Sequence, residues 1–139
     1  MRLWHKDLID VLPDKQLVGQ WRECCIIAKG RYEGTLNHVI VNKVKDYPEE
    51  HLYNYAALVW AEMRRRGMNP RWAIISKYFD HRSLAYSKEE VYPEWHNDRY
   101  LRQCYYNLQE KHDCGGITDE EFRKIEIRVI SVLTRKSEN

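Results

Sequence analysis

From Leu17 onward the apolar residues fall at helical spacing, with Leu17, Trp21, Cys24, Cys25 and Ala28 forming one stripe. Pro13 and Asp14 stand just ahead of it and suit a helix start, while Gly30 offers a stop. The pattern predicts a helix from Asp14 to Gly30, then a loop over residues 30–35. Residues 36–44 are rich in Val and Ile, and one short apolar run is compatible with strand or helix. After the break at Tyr47-Pro48, the acidic pair Glu49 and Glu50 opens a second stripe of Leu52, Tyr55, Ala56, Val59 and Met63. Arg64, Arg65 and Arg66 fill its last turn and Gly67 closes it.

Residues 68–96 read as irregular, with one short helix around 72–78 and a charged loop at Asp80-His81-Arg82. A third stripe over 98–111 points Leu101, Cys104, Tyr105 and Leu108 inward and stops at Gly115-Gly116. Thr118 followed by Glu121 is a capping box, after which Phe122, Ile125, Val129, Val132 and Leu133 line a last helix. The segment 1–12 mixes apolar and charged residues without a clear period. The expected architecture is all-α: one domain over residues 1–139, with four main helices and long irregular connections.

Composition narrows the function. The 139 residues are 43% hydrophobic and 32% charged, which excludes a disordered chain. No apolar run is long enough to span a bilayer. Trp4, His5 and Asp7 occupy the place of a signal peptide's apolar stretch, so a cytoplasmic protein with reduced cysteines is expected. The net charge of +2 permits a polyanionic partner without demanding one. Ten Tyr and five Trp stand against two Phe, a bias toward rings with a polar handle. They serve either as the edge of the core or as platforms for stacking bases. Cys104, His112 and Cys114 are the nearest approach to a zinc set, but the C-x-x-C pairs of structural zinc sites are missing, and no metal or other cofactor is expected.

Arg22 and Glu23 sit side by side at the margin of the first stripe. Adjacent helix positions do not face each other, so the two are either a solvated edge or two groups turned into one cleft. Here the sequence resembles a known family. The stretch from Leu12-Pro13-Asp14 through Gln20-Trp21-Arg22-Glu23 is similar to the first helix of the pyrimidine-dimer DNA glycosylases, the small all-α repair enzymes of the phage endonuclease V type. The opening Met1-Arg2-Leu3-Trp4-His5, the run Asn37-His38-Val39 and the helix end Arg65-Arg66-Gly67 follow the family order. Tyr100-Leu101, Asn107-Leu108 and Glu110-Lys111 echo it further on.

The resemblance implies a glycosylase with linked abasic-site lyase activity, acting on double-stranded DNA as a monomer. It assigns the nucleophile to the N-terminal α-amine, here that of Met1, and the acidic group to Glu23. Arg2, Gln16, Arg22 and His38 become DNA contacts, with Arg64, Arg65 and Arg66 as further phosphate ligands. An α-amine has an intrinsic pKa of about 7.7–8.0, so a useful fraction of such groups is neutral and nucleophilic near pH 7.

The sequence also departs from the family. Arg2 follows Met1 where the family exposes threonine, Ile26 replaces an arginine three positions after the glutamate, and Gln16 replaces a histidine. The C-terminal aromatic-basic cluster is missing, which leaves the aromatic stretch 72–95 as its expected replacement. Two rival readings remain: a small DNA-binding protein of the same fold without the chemistry, and a helical domain that binds a protein partner through a wet aromatic groove.

Overall fold

The computed structural model describes residues 1–80 and 86–137. His81 and Arg82 of the charged run therefore lie outside the described residues. Five α-helices follow in order: α1 (Asp14–Glu33), α2 (Glu49–Arg65), α3 (Ala73–Ser76), α4 (Asp98–Asp113) and α5 (Asp119–Ser137). Short 3-10 helices occupy Lys6–Val11, Asn42–Asp46 and Lys88–Glu90. No strand occurs among the described residues, so the fold is all-α as expected, and the ambiguous run at 36–44 resolves into a turn and a 3-10 helix.

Local chemistry sets most boundaries. Pro48 caps α2, the Asn97 side chain accepts from Tyr100 N at the start of α4, and the Thr118–Glu121 box caps α5 in both directions. The end of α1 is a correction. The helix runs past Gly30 to Glu33 and stops at Gly34, whose φ of 75° suits a residue without a Cβ. Gly30 serves a different purpose, because Leu36 folds back over it. A Cβ on Gly30 would meet the Leu36 Cβ at 3.3 Å, and the amides of Thr35 and Leu36 both donate to the Gly30 carbonyl.

α1 packs on α2, and α4 packs on α5. The 3-10 helix at 6–11 lies against both α2 and α5 and so joins the two pairs. One hydrophobic cluster draws on every α-helix: Leu17 and Ile27 of α1, Leu52 and Val59 of α2, Ile75 of α3, Leu101 and Leu108 of α4, Ile125 of α5. Cys24 is buried in it while Cys25, read as inward, lies only half-buried at its edge. Tyr105 is likewise only half-buried.

In the aromatic stretch 72–95 the rings divide, and Trp72, Tyr78, Phe79 and Tyr86 are only half-buried. Tyr92 and Trp95 are buried, and Tyr92 packs against Tyr47, His51 and Trp95 at ring distances of 4.8–5.4 Å. Trp72 is enclosed by Trp21, Tyr53 and Trp60. Burying several such rings supplies much of the apolar area that the fold removes from water.

Candidate active site

The N-terminal segment runs through the interior. Leu3 is fully buried, Trp4 and His5 nearly so, and Met1 is 40% exposed at its outer end. Burying a leucine contributes about 1.5–3 kcal/mol, while ordering each residue costs about 1–2 kcal/mol. Apolar anchoring alone does not fix five residues, and their backbone polar groups need partners that no neighbouring strand provides.

Side chains provide them. Arg2 N–H donates to Glu23 Oε2 at 3.1 Å. Gln20 Nε2 donates to the Arg2 carbonyl at 2.8 Å and to Glu23 Oε2 at 3.2 Å. Trp4 N–H donates to Gln20 Oε1 at 2.6 Å. The Tyr55 hydroxyl lies 2.5 Å from the Trp4 carbonyl and 2.7 Å from Gln20 Oε1, with one proton for the two. The Tyr100 hydroxyl donates to the Leu3 carbonyl at 2.5 Å. In an extended chain the polar groups of residues 2 and 4 face one edge and those of residue 3 the other. Gln20, Glu23 and Tyr55 serve the first edge and Tyr100 the second. The Gln20 amide thus replaces the peptide group of an absent parallel strand.

Sequence reasoning passed over Gln20, Tyr55 and Tyr100. One signal was present: Gln20 is polar at a position where the α1 period demands an apolar residue, and it lies three residues before Glu23 on the same face.

His5 and His96 extend the network inward. The His5 ring takes the Asp7 amide on Nδ1, which leaves Nε2–H to donate to the His96 carbonyl at 2.9 Å. His96 Nδ1 accepts from the Lys6 amide at 2.9 Å, and its Nε2 is buried with no hydrogen-bond partner among the described residues. Burial, then the nearby His5 and Lys6, push the His96 imidazole well below its ordinary pKa, so it is held neutral.

Two grooves open beside Met1 and Arg2. Met1, Ile26, Lys29, Asn37 and His38 line one of about 480 Å³. Arg2, Val39, Ile40, Lys43, Arg99 and Tyr100 line part of the other, of about 440 Å³. The turn at 38–41 separates them, held by Asn42 Oδ1, which accepts the His38 amide at 2.9 Å. The Arg2 guanidinium lies 5.7 Å from the ring centres of both Trp4 and Tyr100, a cation–π setting that fixes its direction.

Met1 and His38 thus line one groove and Arg2 the other, while Glu23, midway along α1, lines neither and is tied to the N-terminal segment through the Arg2 amide. Gln16 shares the helix face of Gln20 and Glu23, half-buried, with no hydrogen-bond partner for its Oε1 among the described residues. Arg22 is exposed about 100° round the helix from Glu23 and lines neither groove. Arg64, Arg65 and Arg66 lie outside both grooves. Arg65 and Arg66 close on Glu62, and Arg66 also donates to Asp14 Oδ1 and to the carbonyls of Asp10 and Leu12. Burial would raise the Glu62 carboxyl, but the hydrogen bonds from Arg65 and Arg66 hold it below the usual range. Arg64 donates to Asn69 and rests over Trp60. The possible zinc trio is not assembled either, since Cys104 is buried in the core and His112 bonds Asp119 at the surface. No helix among the described residues is long and apolar enough to cross a membrane.

Comparison with known proteins gives one finding at family level. The model of a family described as pyrimidine dimer DNA glycosylase matches residues 1–76, which hold the N-terminal segment, α1, the 38–41 turn and α2. No curated protein and no solved structure matches the chain.

Proposed function

The chain belongs to the pyrimidine dimer DNA glycosylase family, and from that premise we propose that it excises damaged bases such as pyrimidine dimers from duplex DNA and cleaves the resulting abasic site through an imine on its own N-terminus. The carrying observation is the 3.1 Å hydrogen bond from Arg2 N–H to Glu23 Oε2, which holds the carboxylate one residue from the Met1 α-amine.

In this reading the neutral amine attacks the sugar C1′. The bond from C1′ to the base breaks, and its electron pair leaves with the base. Glu23 takes one proton from the attacking nitrogen and passes it to the sugar ring oxygen as the ring opens to the imine. Glu23 then takes a proton from C2′, the C3′–O bond breaks and the 3′ phosphate departs. Arg2 and His38 hold the flanking phosphates on either side of the 38–41 turn, since a guanidinium matches phosphate oxygens in a fork. Arg22 serves the strand from the exposed face of α1.

Borohydride reduction tests the imine directly. On a duplex carrying an abasic site it should trap one covalent adduct, mapped by mass spectrometry to Met1. An adduct on an internal lysine, or none, overturns the amine assignment. Acetylating the N-terminus should abolish trapping while DNA binding persists.

A further inference from the structure

We infer that the groove between the 38–41 turn and α4 is a track for a DNA strand, with Lys43 and Arg99 joining Arg2 on its phosphates and the apolar tip of the turn against a base. This rests on the reading above and adds a wall that it does not contain. α4 lies beyond residues 1–76, which the family model matches, so its side of the track does not follow from that match.

Among the described residues some cations are ion-paired and many exposed ones, such as Arg22, Lys29 and Arg64, are not, so position and not pairing alone sets the groove apart. Arg31, Arg65, Arg66 and Arg128 are each ion-paired. Among the described residues, Lys43 and Arg99 have no ion-pair partner, and both are exposed in the groove. Three cations, Arg2, Lys43 and Arg99, face one carboxylate there, that of Glu94. Glu94 Oε2 accepts from the Tyr47 hydroxyl at 3.1 Å. Along α4 the exposed side chains of Arg99, Gln103 and Asn107 follow at four-residue steps. That spacing makes a ladder of donors about 6 Å apart.

Guanidinium, ammonium and amide donors in a line suit the oxygens of a phosphodiester chain. A free anion would need only one of these positions. Val39 explains the rest: it is 84% exposed at the lip, beside Ile40 at 39%. Such residues at the edge of a cationic groove fit the face or step of a base, as the apolar wedges of DNA-bending proteins do. The lip stands between this groove and the one that holds Met1. The strand would therefore turn there, with the reacting sugar on the far side.

The test uses the full chain and a duplex with a non-reactive abasic analogue, titrated over a range of salt. Each cation removed by Lys43→Gln or Arg99→Gln should flatten the slope of log K against log salt by about 0.9. Arg123→Gln, an exposed change on α5, should leave it as in the wild type. Val39→Ser should weaken DNA binding several-fold with the slope intact. Inorganic polyphosphate serves as the anion probe, and its binding should be insensitive to Val39→Ser. Wild-type slopes for both charge variants overturn the track, and wild-type DNA affinity for Val39→Ser overturns the base contact. If the wild type traps on borohydride while these variants bind normally, only the track is wrong. If the wild type neither binds nor traps, the glycosylase reading fails with it.

Discussion

Arg66 and Arg99 are both arginines at helix surfaces, and the structure treats them in opposite ways. Arg66 is 17% exposed and joins the end of α2 to residues 10–14 through Glu62, Asp14 and two backbone carbonyls. Arg99 stands open in a groove with no ion-pair partner among the described residues. Around Arg66 the charge is neutralised, and its effect is to fasten two elements together. Around Arg99, Lys43 and Arg2 it is left over, and three cations lining one groove raise the positive potential that an anionic ligand would meet there. Arginine clusters in the sequence therefore say little until their carboxylate partners are known.

The widest separation between the two regions should come from Glu23→Gln. Glutamine keeps an acceptor for the Arg2 amide but not the acid–base function. Strand cleavage should fall about 10²–10⁴-fold, with the denaturant midpoint close to wild type. Cleavage within a few-fold of wild type would remove Glu23 from the mechanism.

Arg66→Ala should do the reverse. It leaves the buried Glu62 with Arg65 alone and removes hydrogen bonds of a charged group, a loss of about 2–3 kcal/mol. Denaturant unfolding reads this, and the salt slope of DNA binding should not move. A flattened slope with unchanged stability would transfer Arg66 to the DNA-binding set.

A smaller effect is expected from Tyr55→Phe, which strips one buried donor from the Trp4 carbonyl and Gln20 Oε1. Stability should fall by about 1–2 kcal/mol. Cleavage should suffer more than binding, because the amine loses part of its support. Equal losses in both would make the hydroxyl a matter of packing only.

The smallest effect concerns pH. The folded protein holds His96 neutral, below its ordinary pKa, while the unfolded chain takes up a proton near pH 6.5. Its stabilising contribution is therefore complete above pH 6.5 and declines as pH falls below it. The slope is at most about 1.4 kcal/mol per pH unit for one site. Chemical unfolding at stepped pH would show this, and His96→Asn should flatten the curve over that range.

Much of the fold was legible because its signals are local. Pro13, Pro48 and the Thr118–Glu121 box act within one turn, and the stripes of α2 and α5 contain their own period. Gly30 misled for a reason no window of sequence contains: the chain returns at Leu36 to cover it. The site was legible in a different way. Glu23 stood out through a resemblance, not through its own surroundings. Gln20 was hidden because its partners are the backbone of residues 2 and 4 and a hydroxyl on another helix. The same holds for Arg66, whose carboxylates come from residues 14 and 62. The aromatic bias pointed to surface, but Tyr92 and Trp95 find partners inside the core.

The hydrogen bond between Tyr100 and the Leu3 carbonyl has a consequence for the protein's synthesis. Tyr100 is made 97 residues after Leu3. At elongation rates of roughly 5–20 residues per second, that is a delay of about 5–20 s. Through that interval the Leu3 carbonyl lacks the hydroxyl that donates to it, and α4 has not yet closed over the N-terminal segment. The segment that holds the proposed nucleophile is thus made well before the helix that seats it. On the proposed mechanism, a chain that ends before α4 would present the Met1 amine without the geometry to use it, and competence for chemistry would arrive only with the fold.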